Sequence, residues 1–470
     1  MIFSSHIFLL CFLPFFLAVY FLVPPKGRNL VLLLASVVFY AWGAPDFVLI
    51  LLASTVANFY LVKAMHRAQR TAMKKLWCTL AILLSLGLLA YFKYANFFVD
   101  NANALLAALG LGTMGWTKVL LPIGISFFTF QSITYVIDTY RGINAPMQRL
   151  TDYMVYIIMF PQLIAGPIVR YTDIADQITA RRRLRWEECL QGFYRFVIGL
   201  AKKVLIADVI GRTVDVVLAG DLAALDSGTA WITIMAYTMQ LYFDFSGYSD
   251  MAIGLGRIMG FRFPENFDNP YTSASITEFW RRWHITLGAF MRNYLYIPLG
   301  GNRHGTARTY LNLWVVFLLS GLWHGASWNF VIWGAYHGFF LVLERLLGIN
   351  KQRKAWRIIP TFIILLVGWA IFRIEDLPSC WTFIQRLFCF DFSGFALAEH
   401  PQYYATLLVA LVFSFLTLLP LGKRLERWVF YTRYGNTQLT AVWIIACLLF
   451  VCCLMTLTAT KFSPFIYFRF

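Results

Sequence analysis

Charge is scarce in this chain, and acidic charge scarcer still. Only 13% of its 470 residues are charged, and 23 acidic side chains stand against 40 lysines and arginines. With a mean hydropathy of +0.65, so few solvating groups exclude a soluble multidomain protein. No polar stretch long enough for a separate soluble domain interrupts the apolar runs. Internal repeats of fixed period, low-complexity tracts and inverted hydropathy symmetry are also missing, which argues against many secondary transporters. The eight cysteines include no pair at metal-ligand spacing beside a histidine, and the histidines lack a third ligand at a usable spacing, so no metal is expected. Cys11, Cys78, Cys447, Cys452 and Cys453 lie in apolar runs and read as small hydrophobes. Cys380 and Cys389, in an expected outer loop, are the one pair open to a disulfide in an oxidising periplasm.

What the chain has in abundance is hydrocarbon: 60% hydrophobic residues, 18% aromatic. Its apolar runs are about 17–25 residues long, the length at which a helix crosses a bilayer. The opening run, Ile7 to Val23, is followed rather than preceded by the basic residues Lys26 and Arg28. That order predicts an uncleaved first helix with its amino end outside, not a signal peptide. Further spans are predicted over 29–42, 47–62, 76–94, 119–137, 151–168, 190–218, 229–256, 310–323, 328–347, 358–373, 403–420 and 440–460. Several are short or broken by glycine, so the expectation is an all-α polytopic membrane protein, a single domain over 1–470, with ten to thirteen transmembrane or re-entrant helices.

Basic clusters set the orientation, because retained loops are rich in lysine and arginine on the cytoplasmic side. They fall at Lys63-Arg67-Arg70-Lys74-Lys75, Arg181-Arg182-Arg183-Arg185, Lys351-Arg353-Lys354-Arg357 and Lys423-Arg424-Arg427-Arg433, while 43–46, 95–118 and 374–402 carry few positives. On this reading the tail "KFSPFIYFRF" lies outside or at the outer interface. The net charge of +17, bundled into short loops between spans, is a matter of topology and anionic lipid rather than of nucleic acid.

Against this background the informative residues are polar ones at membrane depth. The run "YTMQLYFDFSGYSDMAIGLG" (237–256) carries Gln240, Asp244, Ser246, Ser249 and Asp250 on two helical stripes, so protein rather than lipid must surround it. Asp250 is expected to be a packing carboxylate held by a neighbouring arginine or hydroxyl. In "FPENFDNPYTSASITEFWRRWHITLGAFMRNYLYIPLGGNRHG" (263–305), non-helical chain gives way at Thr277 to a short helix bearing Arg281, Arg282, Trp283 and His284. The helix is too polar to span and suits an interfacial or buried cytoplasmic position. Its arginines suit phosphates, whereas Arg292, Arg303 and Arg308 read as headgroup anchors. The run "SGLWHGASWNFVIWGAYHGF" (320–339) holds His324 and His337 among glycines and tryptophans. Gly321, Gly325, Ser320, Ala326 and Ser327 predict a slot into which the His324 imidazole projects, neutral and competent as a general base. On an unbroken helix His337 faces some 220° away from His324 and takes a packing role.

Four blocks together, "SGLWHGASWNFVIWGAYHG", "SITEFWRRWHITL", "YFDFSGYSDMAIGLGRIMGF" and "FPQLIAGPIVRY", resemble the signature regions of the membrane-bound O-acyltransferase (MBOAT) family, in its bacterial alginate O-acetylase branch. The amino-terminal "MIFSSHIFLLCFLPFFLAVYFL" and the closing "SPFIYFRF" resemble that branch as well. The resemblance implies helices arranged as a hollow ring around a central tunnel, in the bacterial inner membrane. It implies two functional histidines, the essential one at His324 and its companion at His284. Arg281, Arg282, Trp283, Trp323, Asp244, Ser246 and Asn329 are the candidate substrate-binding residues. No bound cofactor is expected; acetyl-coenzyme A is the expected donor, and a separate periplasmic acetyltransferase of SGNH type the expected partner. The acceptor it implies is an extracytoplasmic polysaccharide such as alginate or peptidoglycan. D-alanyl transfer toward teichoic acid is the alternative within the family, and a polytopic transporter or channel the alternative outside it.

Overall fold

Hydrocarbon offers no partner to a peptide group, so each apolar run must close its own backbone hydrogen bonds as a helix. The computed structural model describes residues 1–180, 182, 184–349, 352–392, 401–432, 434–460 and 464–466, and among them every regular element is helical. Every predicted span contains helix, although 119–124 and 164–168, at the ends of two of them, are not helical. Five are long and apolar enough to cross a membrane by length and composition: Pro45–Arg67, Thr71–Ala108, Ala355–Arg373, Pro401–Leu418 and Thr437–Ala459. Ile7–Leu22 and Arg28–Gly43 are shorter apolar helices. Helices Tyr171–Thr179, Leu377–Leu387 and Pro420–Tyr431 were not predicted, because their mixed polarity resembles loop. Arg181, Arg183, Lys351 and Arg433 of the basic clusters, and 393–400 of the long outer segment, lie outside the described residues.

The chain forms two compact units, one of residues 1–184 and 260–264, the other of 185–259 and 265–470. In the first, Phe3, Phe8, Phe39 and Phe160 are buried and their rings pack together. Around them stand Leu13–Leu22, Arg28–Gly43 and Leu150–Ile158. The Ile125–Tyr140 helix is buried over nearly its whole length.

In the second unit two helix pairs meet backbone to backbone. Trp186–Ala201 packs on Ser227–Ile258 through Gly192 against Gly254 and Gly199 against Gly247; a Cβ at any of the four would collide with the facing carbonyl oxygen. Gly305–His324 and Trp328–Leu346 form a hairpin closed by Gly321 and Gly334, which meet the carbonyls of Phe330 and Phe317. Close approach of this kind is how helices associate where water supplies no hydrophobic drive.

A π-helical turn over Lys202–Ala207 sits inside the otherwise continuous 186–218 helix. Such bulges re-aim side chains, often near functional sites. Here consecutive lysines reach different aspartates of the facing helix. Lys202 Nζ lies 2.6 Å from Asp250, and Lys203 Nζ lies 2.7 Å from both Asp244 and Asp208. Lys203 also donates to the Pro464 carbonyl, and the second Asp244 oxygen accepts the Ile466 N–H at 2.9 Å. Phe465 and Ile466 are buried. The described residues of the tail are thus held against the helices by a buried ion pair. The pairing left open between two cysteines is not made. Cys380 and Cys389 are free thiols, the first buried and the second exposed.

Candidate acyl-transfer site

The environment of His284 begins with Ser275, whose hydroxyl accepts the Glu278 N–H at 3.0 Å and starts the helix Ile276–Arg282. That N-terminus is also capped from outside. The buried Glu344 carboxylate accepts the N–H groups of Ile276 and Thr277 and the Thr277 hydroxyl. After Arg282 the chain turns extended and pairs with 266–268: Asp268 N donates to Arg282 O and Ile285 N to Asn266 O, each at 2.9 Å, around the bridge Phe267–Trp283. This pairing forces His284 into the left-handed region, φ 46° and ψ 55°, a conformation that costs a non-glycine residue roughly 1–3 kcal/mol. Strain of that size persists where the surroundings impose it.

What the pairing achieves is contact between His284 and Asn266. The His284 Nδ1 lies 3.0 Å from Asn266 Oδ1. The same oxygen accepts from the Thr286 N–H and hydroxyl, while Asn266 Nδ2 donates to Ser249 Oγ at 3.1 Å. An amide oxygen can only accept, so Nδ1 carries the proton and the neutral ring has its lone pair on Nε2. Asn266, which sequence reasoning did not single out, thereby sets the tautomer. Asn266, Ser249, Ser246 and Asp250 all line a cavity of about 610 Å³, whose other walls are largely apolar.

His324 is the last residue of its helix, 3% exposed. Its ring stands nearly perpendicular to Trp323, Trp333 and Phe372 at centroid distances of 4.9, 5.0 and 5.4 Å. The open slot expected around it is filled: Gly325 is needed because a Cβ there would strike the Phe330 ring. Asn329, fully buried, accepts from Ser327 and donates to the Ile371 carbonyl. It ties the turn after His324 to the Ile358–Arg373 helix, which supplies Phe372.

The two histidines meet at one residue. Trp323 lies 5.9 Å from the His284 ring and 4.9 Å from that of His324, so the imidazoles are no further apart than these two spans placed end to end. His337 differs from its predicted placement. The helix breaks at Gly325–Ser327, so the 220° rotation does not apply, and His324 and His337 both stand on Trp333, at 5.0 and 4.9 Å.

Of the other predicted site residues, Ser246 lines the 610 Å³ cavity. Asp244 is committed to Lys203 and the tail, and Trp283 is buried in an aromatic cluster with Phe267, Phe279 and Trp369. Asp250 is held by Arg195 and Lys202, as expected of a packing carboxylate. Arg281 and Arg282 diverge: Arg281 lines a second cavity, whereas Arg282 is 2.8 Å from Glu278. Among the described residues no group of three or more histidine, cysteine or acidic side chains is placed to hold a metal.

Residues 144–374, which include both histidines, match the model of the membrane-bound O-acyltransferase family. A probable alginate O-acetylase of Pseudomonas putida is 43% identical over 492 aligned residues, covering all of both chains. The chain belongs to the membrane-bound O-acyltransferase family. A peptidoglycan O-acetyltransferase of Helicobacter pylori is 38% identical over 81% of this chain and 78% of its own. A teichoic acid D-alanyltransferase of Bacillus subtilis is 27% identical over 51% of this chain and 62% of its own. The protein is thus a multi-pass membrane enzyme, an O-acetyltransferase of the alginate and peptidoglycan type.

Proposed function

We propose that this enzyme, in a bacterial inner membrane, moves an acetyl group from cytoplasmic acetyl-coenzyme A toward alginate outside, and that His324 carries the chemistry. The observation that carries the reading is the meeting of two buried imidazoles on the Trp323 ring, one with its tautomer set by Asn266. His324 removes the proton of an acceptor hydroxyl; the oxygen forms a bond to the thioester carbonyl carbon, the carbon–sulfur bond breaks, and the proton passes from the imidazolium to the leaving thiolate. In the variant form of this step the His324 nitrogen attacks the thioester carbonyl and the carbon–sulfur bond breaks to release the thiolate; the acceptor hydroxyl then takes the acetyl group as the nitrogen–carbon bond breaks, and its proton passes to the thiolate. His284 offers its Nε2 to the donor. General acid–base help of this kind is worth about 10²–10⁴-fold.

Whole-length similarity at 43% identity favours alginate as the acceptor, and the shorter match to a peptidoglycan O-acetyltransferase supports peptidoglycan as the second reading. In this reading a separate periplasmic SGNH-type acetyltransferase completes delivery to the polysaccharide. The test is acetylation of envelope polysaccharide, read by mass spectrometry, in a deletion strain complemented with wild-type protein, His324→Ala or His284→Ala at matched levels. The expected result is loss of acetylation with His324→Ala and a partial loss with His284→Ala. Ordinary acetylation by His324→Ala would remove His324 from the mechanism.

A further inference from the structure

The second cavity, of about 700 Å³, lies between the short helix Ile276–Arg282 and the 305–346 hairpin. Four arginines line it, Arg281, Arg292, Arg303 and Arg345, and no carboxylate does. Among the described residues no ion pair or side-chain hydrogen bond joins the guanidinium group of any of the four to the protein, in contrast to Arg282 and Arg353, which share Glu278. Four guanidinium groups converging without acids repel one another, a cost that a multiply charged anion removes while accepting their paired N–H donors.

The inner wall of this cavity is Trp280, and a column of rings leads on from it. Trp280 stands 5.0 Å from His337 and 5.4 Å from Trp333, and Trp333 stands 5.0 Å from His324. The column looks apolar but has polar capacity in hand. Among the described residues the indole N–H groups of Trp280, Trp333 and Trp369 have no hydrogen-bond partner, nor does either nitrogen of His337, which is 1% exposed. Buried polar groups are normally satisfied, and a cluster of four side chains that are not points to a ligand that satisfies them. From Arg345 back to His337 the Trp328–Leu346 helix rises about 12 Å, and His324 lies two ring contacts beyond. An acyl phosphate cannot bridge that interval, because its phosphoryl and acyl groups share one oxygen.

Resting on the acetyl-transfer reading above, we infer that Arg281, Arg292, Arg303 and Arg345 form a polyphosphate site. It seats a donor whose acyl thioester is carried on a long amide-bearing arm, with the arm's carbonyls accepting from the Trp280 and Trp333 indoles as it runs to His324. Trp280 swings aside to admit it. Three residues read from sequence as headgroup anchors or left unassigned thereby become donor-binding residues.

The experiment uses the full-length purified protein in phosphatidylcholine nanodiscs. Binding of desulfo-coenzyme A, which cannot carry an acyl thioester, is measured by calorimetry beside the KM and kcat for acetyl-coenzyme A. Arg303→Gln with Arg345→Gln should weaken desulfo-coenzyme A binding and raise KM by tenfold or more at nearly unchanged kcat. Inorganic pyrophosphate should compete with the wild type, Trp280→Phe should raise KM while keeping the ring, and Arg308→Gln, outside the cavity, should behave as wild type. Unchanged binding and KM in the double variant overturn the site while leaving the transfer reading intact. So does a double variant whose only change is loss of co-purified phosphatidylglycerol, which would make the arginines a lipid-headgroup site. Tight desulfo-coenzyme A binding lost in the double variant, with no acetyl transfer by wild type, would support the site and remove the transfer reading instead.

Discussion

Asn266 shows how one side chain can decide the chemistry of another. Its oxygen takes three donors, among them His284 Nδ1, and its amide nitrogen anchors on Ser249 of the long Ser227–Ile258 helix. Replacing it by alanine leaves His284 free to adopt the other tautomer, with the lone pair turned away from its productive direction. For Asn266→Ala we expect kcat to fall by about 10–100-fold, part of the general acid–base contribution, with KM for the donor within about threefold of wild type, as fits a group acting on the transition state. Steady-state acetyl transfer by purified protein checks it. An equal rise in KM would instead make Asn266 a donor contact.

At the scale of elements, the short Ile276–Arg282 helix matters more than its seven residues suggest. It carries Trp280 and Arg281, leads into the strained His284, and is too short to be stable alone. Glu344, on the neighbouring Trp328–Leu346 helix, holds its N-terminus with three hydrogen bonds. Glu344→Ala leaves those donors buried without a partner, at a cost of about 1–3 kcal/mol. We expect a lowered thermal midpoint in detergent and faster tryptic cleavage after Arg281 and Arg282. A variant with wild-type melting and cleavage would show that the helix is held by its aromatic packing alone. The same scale explains the two histidines of the 305–346 hairpin. A break of three residues after His324 turns the chain back on itself, so that residues thirteen apart in sequence share one tryptophan.

Across the whole molecule, the buried ion pairs tie the carboxy-terminal tail to the interior. Lys203 is 2% exposed and stands between Asp208 and Asp244, while Asp244 also receives the tail N–H. Removing the lysine leaves the buried Asp244 and the partly exposed Asp208 without their shared cation, so Lys203→Met should cost about 3–5 kcal/mol and open the tail to carboxypeptidase. Thermal unfolding and digestion of the intact protein report both; a stable variant with a protected tail would mean that Phe465 and Ile466 anchor it by packing. Orientation is testable on the same scale. Reporter fusions after Lys75 and Lys354 should read as cytoplasmic and a fusion within 374–402 as periplasmic, because basic loops are retained on the inner face. The reverse pattern would put the arginine cavity on the side away from any cytoplasmic donor.

Hydropathy alone determined that this chain is a bundle of membrane helices, since a run of leucine and valine in hydrocarbon has one way to satisfy its backbone. The order of its motif blocks determined the family, and that resemblance singled out His284 and His324 from the other imidazoles as the candidate pair. Long-range geometry was not legible. Asn266 and His284 are eighteen residues apart, joined by a two-residue pairing that has no periodic signature. Periodicity placed His337 on the wrong side because it assumes an unbroken helix, and glycines that suggested an open slot instead admit the Phe330 backbone and ring. Aspartates look alike in sequence: only their neighbours separate Asp244, committed to a lysine and the tail, from Asp250, at the edge of a cavity. Whether an arginine is neutralised depends equally on which carboxylate folding brings near. Tertiary structure alone could distinguish Arg282, paired with Glu278, from Arg281, which faces a cavity without an acid.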